Sequence, residues 1–188
     1  MIVNIRGTSG SGKTTLVRNL MGRWATSPEN IVKGKPWNYA VHPLFTNRPI
    51  MVVGSYANTC GGCDGIKTQD EICDRVRELS LRGHVLFEGL LISHLHSRYR
   101  DLARELAASG FIFAFLDTPL EVCLQRVRDR RERSAAARGV AVKPLNEKNT
   151  IDKWNNSRPV AEKFIADGLR VVWLPWENPD PALEALFT

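Results

Sequence analysis

At 188 residues, with 43% hydrophobic and 24% charged side chains, the chain has the size and composition of one globular domain. It has no run close to the roughly eighteen apolar residues of a membrane span, and its first residues lack the basic start and apolar core of a secretory signal, so we expect a soluble, cytoplasmic protein. The formal net charge of +6 favours polyanionic partners, nucleic acid among them, although enzymes that act on small anionic substrates are often basic too.

The first half of the chain alternates apolar runs with glycine- and proline-rich stretches. Residues 1–6 have the continuous apolar character of a buried strand, and residues 13–24 place their large apolar side chains on one helical face. Next we predict a loop at 26–37, two extended runs at 39–44 and 49–54 that pair as a hairpin at the sheet edge, a second loop at 55–67, a helix at 69–82 and a strand at 84–87.

The second half continues this alternation of helices and strands. The run FIFAFL at 111–116 is apolar at every position, which is typical of a parallel strand covered on both faces. Around it we predict helices at 96–109, 119–133, 147–167 and 180–187, and a last strand at 171–174. The order predicts an α/β fold, a three-layer and mostly parallel sheet in a single domain over 1–188, with ligands at the carboxyl ends of the strands.

The stretch GTSGSGKTT lies between the first strand and the first helix. It matches G-x-x-x-x-G-K-[ST], in which glycines let backbone N–H groups curve around phosphates and the helix N-terminus adds its dipole. In this motif Lys13 reaches the β- and γ-phosphates, and Thr14 binds Mg²⁺. The predicted nucleotide site comprises Gly7, Thr8, Ser9, Gly10, Ser11, Gly12, Lys13, Thr14 and Thr15.

An arginine-rich helix follows the strand at 111–116. Arg126, Arg130 and Arg133 are spaced i, i+4 and i+7, so they share one helical face. Such a cluster repels itself unless anions lie between the side chains. It therefore predicts a lid that places guanidinium groups over a transferring phosphoryl group. A solvated surface face, diluted by Asp129 and Glu132, is the alternative.

Glu88 ends the apolar strand in HVLFEG, which predicts a carboxylate at the carboxyl edge facing the glycine-rich loop. A carboxylate there can hold Mg²⁺ or accept the proton of an attacking hydroxyl. The alternative is an acidic helix cap or a structural ion pair.

The segment 55–70 follows a strand and is the predicted acceptor loop. Asp64 comes after a double glycine that permits close backbone approach to a ligand, so it is a second candidate for general base. Asn58 and Asp70 are candidates to recognise a polar edge of the substrate, although Asp70 can equally be the N-cap of the next helix.

Aromatic and basic residues flank this loop. Tyr56 and Trp37 are candidates to stack on a base, and Lys33 and Lys35 have the charge that suits a phosphodiester backbone. Each of these residues can instead have a structural or solvent-exposed role.

The four cysteines are Cys60, Cys63, Cys73 and Cys123, too few and too clustered for a secreted disulfide framework. Cys60-Gly-Gly-Cys63 has the spacing of half a zinc site, but no second ligand pair follows at zinc-site spacing. We therefore predict buried thiols.

The order strand, GTSGSGKTT loop, helix, and then LDTPLEVCLQRVRDR leading into an arginine-rich lid resembles the small P-loop kinases. The acceptor motifs of adenylate, thymidylate, shikimate and gluconate kinases are absent. The Cys-Gly-Gly-Cys-Asp loop and the basic composition instead resemble bacteriophage kinases that phosphorylate 5-hydroxymethyluracil within DNA.

The resemblance implies ATP and Mg²⁺ as cofactors, a lid at about 126–145 and DNA with a hydroxymethylated pyrimidine as acceptor. It implies the host cytoplasm as the location if the chain is phage-encoded. It also implies an adenine site near Trp176 and the lid helix. The alternatives are a kinase of a free nucleotide, nucleoside or other small metabolite, and a nucleotide-dependent binding module that transfers no phosphate.

Overall fold

A computed structural model describes residues 1–57, 61–89, 92–142 and 144–188, with the side chains of Val32 and Ile92 excepted. The strands are β1 (Ile2–Arg6), β2 (Ala25–Val32), β3 (Lys35–His42), β4 (Ile50–Val53), β5 (His84–Glu88), β6 (Phe111–Leu116) and β7 (Arg170–Leu174). The helices are α1 (Lys13–Arg23), α2 (Gln69–Ser80), α3 (Ser97–Glu105), α4 (Leu120–Arg138), α5 (Glu147–Ala166) and α6 (Asp180–Glu184). Single 3₁₀ turns lie at Cys63–Gly65, Ile92–His94 and Ala107–Ser109. No described helix is long and apolar enough to cross a membrane.

The described strands form a seven-stranded sheet in the order β2-β3-β4-β5-β1-β6-β7. The strands from β4 to β7 in this order run parallel, whereas β2 and β3 are antiparallel additions at one side. The parallel strands all end at one edge, which we call the carboxyl edge. Ligands of such sheets bind at this edge, so the loops that follow β1, β4, β5 and β6 are the candidate ligand-binding segments.

Helices cover both faces of the sheet, which makes three layers. The phenylalanines of β6 pack with α2, α3 and α5 on one face, and the alternate residues Ile112 and Ala114 pack with α1 and α6 on the other. Every residue of β6 is buried, as expected for a parallel strand between helical layers. The α/β, three-layer prediction is confirmed.

The predicted loop at 26–37 is wrong. These residues form most of β2 and the start of β3, which pair antiparallel across a two-residue turn at Lys33 and Gly34. Both turn residues have positive φ, 51° and 74°, as a type I′ hairpin requires. Pro28, Glu29 and Asn30 are poor strand formers, and this composition masked the strand.

The predicted pairing of the runs at 39–44 and 49–54 is correct, but its place in the sheet is not. β3 and β4 do pair antiparallel, while β4 also pairs parallel with β5 and so lies inside the sheet. The edge hairpin is β2–β3. Helix α4 also continues beyond the predicted end at residue 133, to Arg138, where Gly139 adopts φ 62° at the C-terminal cap.

Candidate active site

The glycine-rich loop follows β1 at the carboxyl edge and takes a conformation that its glycines allow. Gly10 and Gly12 have φ of 80° and 103°, which favour residues without a Cβ atom. A Cβ on Gly10 would lie 2.2 Å from the carbonyl oxygen of Cys123, so the loop also packs directly on the first turns of α4. Successive N–H groups in such a loop form a concave site for anions.

Neighbouring elements hold this loop in place by hydrogen bonds. The backbone N–H of Gly7 donates to Ser93 Oγ at 3.3 Å, and Thr118 Oγ1 donates to the Ser11 carbonyl at 2.9 Å. Thr8 Oγ1 donates to the Thr150 carbonyl in α5 at 3.2 Å. The phosphate-binding backbone is therefore preorganised from several sides. Sequence reasoning missed Ser93, Thr118 and Thr150. Ser93 and Thr118 follow β5 and β6 at the carboxyl edge, and this position could have identified both as candidates.

Lys13 is buried at the start of α1 and lies at the centre of the loop. Its Nζ donates to the carbonyl oxygens of Gly7 at 2.8 Å and Thr8 at 3.0 Å. Burial lowers the pKa of Lys13, and the negative charges of Glu88 and Asp64 oppose that shift. The site thus concentrates one cation against the loop with carboxylates close by.

Glu88 is the last residue of β5 and is 1% exposed. Its Oε1 accepts a hydrogen bond of 2.9 Å from the Thr14 hydroxyl, so the structure brings together the two residues predicted to hold metal. Burial raises the pKa of Glu88 to about 7, while Lys13 and the Thr14 hydrogen bond lower it. A carboxylate paired with a P-loop hydroxyl is an oxygen donor set that suits Mg²⁺.

The double glycine of the acceptor loop packs directly on these groups. A Cβ on Gly61 would lie 2.8 Å from the Tyr56 ring and 2.9 Å from the Thr14 methyl group. A Cβ on Gly62, whose φ is 70°, would lie 2.5 Å from the Glu88 carbonyl oxygen and 2.8 Å from Glu88 Oε1. The N–H of Gly62 also donates to the Ser55 carbonyl at 2.9 Å. Two glycines are needed here because backbone alone fits between Thr14 and Glu88.

Tyr56 is 7% exposed beneath this loop, with its ring edge-on to Tyr39 at 6.3 Å between centroids. Gly61 packs against the ring and little of it is exposed, so stacking of a base on Tyr56 stays a prediction. Its hydroxyl has no hydrogen-bond partner among the described residues. Burial and the nearby Glu88 raise the pKa of Tyr56 well above its usual value, so the phenol is a neutral donor.

Asp64 lies on the 3₁₀ turn Cys63–Gly65 and is exposed. Its charge acts on Lys13, Glu88 and Tyr56, which places it beside the site. The predicted substrate residue Asn58, like Cys60, lies outside the described residues. The three described cysteines, Cys63, Cys73 and Cys123, are buried and free.

Asp70 lies in the first turn of α2 and forms an exposed ion pair with Arg98 of α3. Thr68, not Asp70, caps the helix, because its side chain accepts the N–H of Glu71. The Asp70 side chain is thus committed to α3. Of the remaining candidates, Trp37, Lys33 and Lys35 lie on the β2–β3 hairpin.

The arginines of α4 divide between two faces. Arg126 Nη1 lies 3.4 Å from the carbonyl oxygens of Gly10 and Ser11, and its guanidinium is 5.6 Å from the Trp176 ring centroid. The charge of Arg130 lowers the pKa of Lys13, which places Arg130 near the loop as well. Arg133 continues the same helical face and is exposed. Neither Arg130 nor Arg133 forms an ion pair with a described carboxylate, so both guanidinium groups remain available for an anion.

Arg128 and Arg131 lie on the other side and join α4 to the segment before α5. Arg128 pairs with Glu147, and Arg131 donates to the Pro144 carbonyl at 3.2 Å. Arg126 and Arg130 thus lie near the loop, whereas Arg128 and Arg131 fasten the helix, and the lid stays a prediction.

The sequence is similar to a family of known proteins. Residues 1–158 match the family model described as 5-hmdU DNA kinase. Two relatives with that description come from Pseudomonas phages: that of PaMx11 is 37% identical over 181 residues, covering 91% of this chain and 88% of the relative, and that of M6 is 34% identical over 185 residues, covering 94% and 91%.

Among solved structures, a deoxyadenosine kinase from M. mycoides aligns with a TM-score of 0.48 and 14% identity over 99% of this chain and 96% of that one, a likeness too weak to support an argument. The family model covers most of the chain, and these two relatives align over nearly all of it. The chain therefore belongs to the 5-hmdU DNA kinase family.

Proposed function

We propose that this kinase transfers the γ-phosphate of ATP to the 5-hydroxymethyl group of 5-hydroxymethyldeoxyuridine in DNA. The observation that carries the proposal is the meeting of Lys13, the Thr14–Glu88 pair and the acceptor loop at the carboxyl edge. The names of the phage relatives support this acceptor, and their phage origin supports the cytoplasm of the infected cell as the place of action.

The loop backbone and Lys13 bind the triphosphate in this proposal, and Trp176, which lies beside Arg126, is the stacking partner for the adenine ring. Thr14 and Glu88 are the residues that would hold Mg²⁺, which when bound neutralises charge on the phosphate oxygens. Arg130 and Arg133 stabilise the negative charge of the transferring phosphoryl group and exclude water from it.

The reaction forms one bond and breaks one. The acceptor hydroxyl oxygen bonds to the γ-phosphorus, the bond between that phosphorus and the β–γ bridging oxygen breaks, and ADP leaves with the electron pair. The hydroxyl proton passes to Asp64. We assign the proton to Asp64 because it is exposed beside the site, whereas Glu88 is buried under Gly62 and engaged by Thr14.

The acceptor side must hold a pyrimidine and its flanking phosphates. Tyr56 offers a hydroxyl donor, Trp37 an exposed aromatic ring, and Lys33 and Lys35 positive charge near the same edge. Asn58 remains a sequence-based candidate for the polar edge of the base. Asp70 is also a candidate for the polar edge of the base, provided that its ion pair with Arg98 opens. A base enclosed this way has to leave the duplex stack, at a cost of a few kcal/mol.

The test uses purified protein, Mg²⁺ and ATP labelled at the γ-phosphate. The acceptors are a duplex with one 5-hydroxymethyldeoxyuridine, the same duplex with thymidine, and a panel of free nucleosides and nucleotides. We expect strong label on the hydroxymethylated duplex, weak but measurable label on free 5-hydroxymethyldeoxyuridine, none on the other acceptors, and none on any acceptor with Lys13→Ala. Label on free nucleotides alone would replace the DNA acceptor with a small molecule, and ATP hydrolysis with no labelled acceptor would overturn the transfer itself.

A further inference from the structure

The β2–β3 hairpin extends beyond the sheet at the carboxyl edge. Asn38 of β3 pairs with Val53, the last residue of β4, so the residues of β3 before Asn38 lie beyond the end of β4. Ile31 and Val32 of β2 accompany them, paired with Pro36 and Lys35. We call residues 29–38 the hairpin arm. It lies on the same edge as the glycine-rich loop, because β4 runs parallel to β5 and β5 to β1.

The tip of the arm is open and positively charged. Lys33 and Lys35 are exposed, and no described carboxylate lies within 4 Å of either ammonium group. A Cβ added to Gly34 would meet nothing within 4 Å, so space around the turn is free. The tip has the charge and the access that a polyanion requires.

The arm also exposes large apolar side chains. Ile31 is 58% exposed and Trp37 is 41% exposed. Burial of such apolar surface against a partner is favourable, because it removes the surface from water. Apolar and basic groups therefore lie together on one projecting element, and both need a partner.

The base of the arm is fastened to helix α2 and the residues after it. The Arg75 guanidinium lies 4.4 Å from the Trp37 ring centroid and donates to the Trp37 carbonyl at 3.4 Å. Arg82 pairs with Glu29 at 2.6 Å. These contacts hold the arm in a fixed direction relative to the carboxyl edge.

We propose that the hairpin arm lies in the major groove of duplex DNA next to the target base, with Lys33 and Lys35 on phosphates and Ile31 against base edges. The inference rests on the proposed function, which makes DNA the substrate. A two-stranded ribbon fits the major groove, and the 5-position of a pyrimidine faces that groove, where apolar side chains contact 5-methyl groups. Before the target base leaves the stack, its 5-hydroxymethyl group therefore lies in the groove that the arm occupies.

The test compares arm variants with matched variants at the opposite edge of the sheet. Ile31→Ser is paired with Leu44→Ser, and the double variant Lys33→Gln, Lys35→Gln, which removes two charges, is compared with Arg48→Gln, which removes one. Leu44, which is 90% exposed, and Arg48 lie between β3 and β4 at the amino edge. All of these side chains are on the surface, so an unchanged melting temperature will confirm that each variant folds.

Each protein is measured for duplex affinity by fluorescence anisotropy over a salt series, and for transfer to a hydroxymethylated duplex and to free 5-hydroxymethyldeoxyuridine. We expect the double lysine variant to flatten the slope of log K against log salt by about two. We expect Ile31→Ser to weaken duplex affinity about fivefold with the slope unchanged. Transfer to the free nucleoside by the arm variants should stay within about twofold of that by the unmodified protein. The two control variants should match the unmodified protein within about twofold in duplex affinity and in transfer.

Unchanged duplex affinity in both arm variants would overturn the proposal, as would an equal loss with duplex and nucleoside. Failure of the proposed function looks different. In that case the unmodified protein transfers no phosphate to DNA, and the anisotropy series alone decides whether the arm binds duplex. Absence of duplex binding by the unmodified protein would overturn both.

Discussion

The hydroxyl of Tyr56 is a buried polar group without a described partner, next to Glu88 and Asp64. A buried donor that lacks a hydrogen bond costs about 1–3 kcal/mol. A substrate oxygen that reached this hydroxyl on binding would satisfy it. We infer that Tyr56 donates to the acceptor in the complex.

Tyr56→Phe removes this hydroxyl and little else. We expect the free energy of unfolding to stay level or to rise by up to about 1 kcal/mol, because an unpaired polar group is lost. We expect kcat/KM for the acceptor to fall about tenfold, since one hydrogen bond in the complex disappears. Denaturant titration and acceptor kinetics measure the two effects, and unchanged kinetics would remove Tyr56 from the acceptor site.

Like Ser93, His94 lies near this site although the sequence did not single it out. It lies on the 3₁₀ turn between Ser93, which holds Gly7, and Leu95, whose carbonyl accepts from Arg6 Nη1 at 2.9 Å. Both ring nitrogens are buried and unpartnered among the described residues. Burial lowers the pKa of His94 to about 4, and the charges of Lys153, Lys13 and Arg6 act in the same direction.

A histidine with a lowered folded-state pKa makes stability depend on pH. Below its ordinary pKa of 6.5 the unfolded chain binds a proton that the folded chain does not, so this contribution to stability is complete above about 6.5 and is lost as pH falls towards 4. With allowance for partial solvent screening, we expect the loss at pH 5 to be about 1 kcal/mol. Denaturant titrations at pH 7.5 and pH 5 should show a smaller drop for His94→Gln, and an equal drop would exclude this cause.

At the scale of elements, the arginines of α4 form two sets with different contacts, and the sequence of the helix does not show which arginine belongs to which set. Arg126 and Arg130 lie near the glycine-rich loop, while Arg128 and Arg131 fasten the helix to residues 144–147. The repeating arginines therefore do not have equal roles. We expect the arginines near the loop to act on phosphate and those on the other side to hold the helix in place.

Arg130→Ala should lower kcat by about a hundredfold with little change in folding, because it removes one guanidinium from the developing negative charge. Arg128→Ala is the matched control from the same helix, and it breaks only an exposed ion pair worth about 0–1 kcal/mol. Single-turnover kinetics and melting curves distinguish the two. Equal effects of both substitutions would mean that the arginines act through lid structure.

At the scale of the whole molecule, the net charge of +6 is distributed over a surface that includes the hairpin arm and the lid. A DNA substrate and a free nucleoside differ greatly in how they respond to this charge. Each DNA phosphate that the protein neutralises releases counterions, and added salt opposes this release and weakens binding. A nucleoside has no phosphate, so its binding does not depend on salt in this way.

Raising monovalent salt from 50 to 200 mM should lower kcat/KM for a hydroxymethylated duplex by about a hundredfold if about four phosphates are contacted. Transfer to free 5-hydroxymethyldeoxyuridine should change by less than about twofold, because the nucleoside is uncharged. The measurement is a chloride series with both acceptors. Equal sensitivity would show that salt acts on the ATP site.

The sequence alone determined the α/β fold, the glycine-rich loop and the position of Glu88. These follow from local signals: apolar runs of strand length, one-face helical periodicity, and a motif whose glycines and lysine are close in sequence. Glu88 could be placed because a residue that ends a parallel strand must lie at the carboxyl edge. The 5-hmdU DNA kinase resemblance was also correct, since the chain belongs to that family.

Only the tertiary structure decided how distant segments meet. The hairpin arm forms despite weak strand propensity, because β2 gains its hydrogen bonds from β3 across a turn that both residues can adopt. The contact of Gly61 and Gly62 with Thr14 and Glu88 joins segments far apart in the chain. Burial of Tyr56 and the raised pKa of Glu88 depend on the same contact. Desolvation is a property of everything packed around a group, so no local pattern in the sequence contains it.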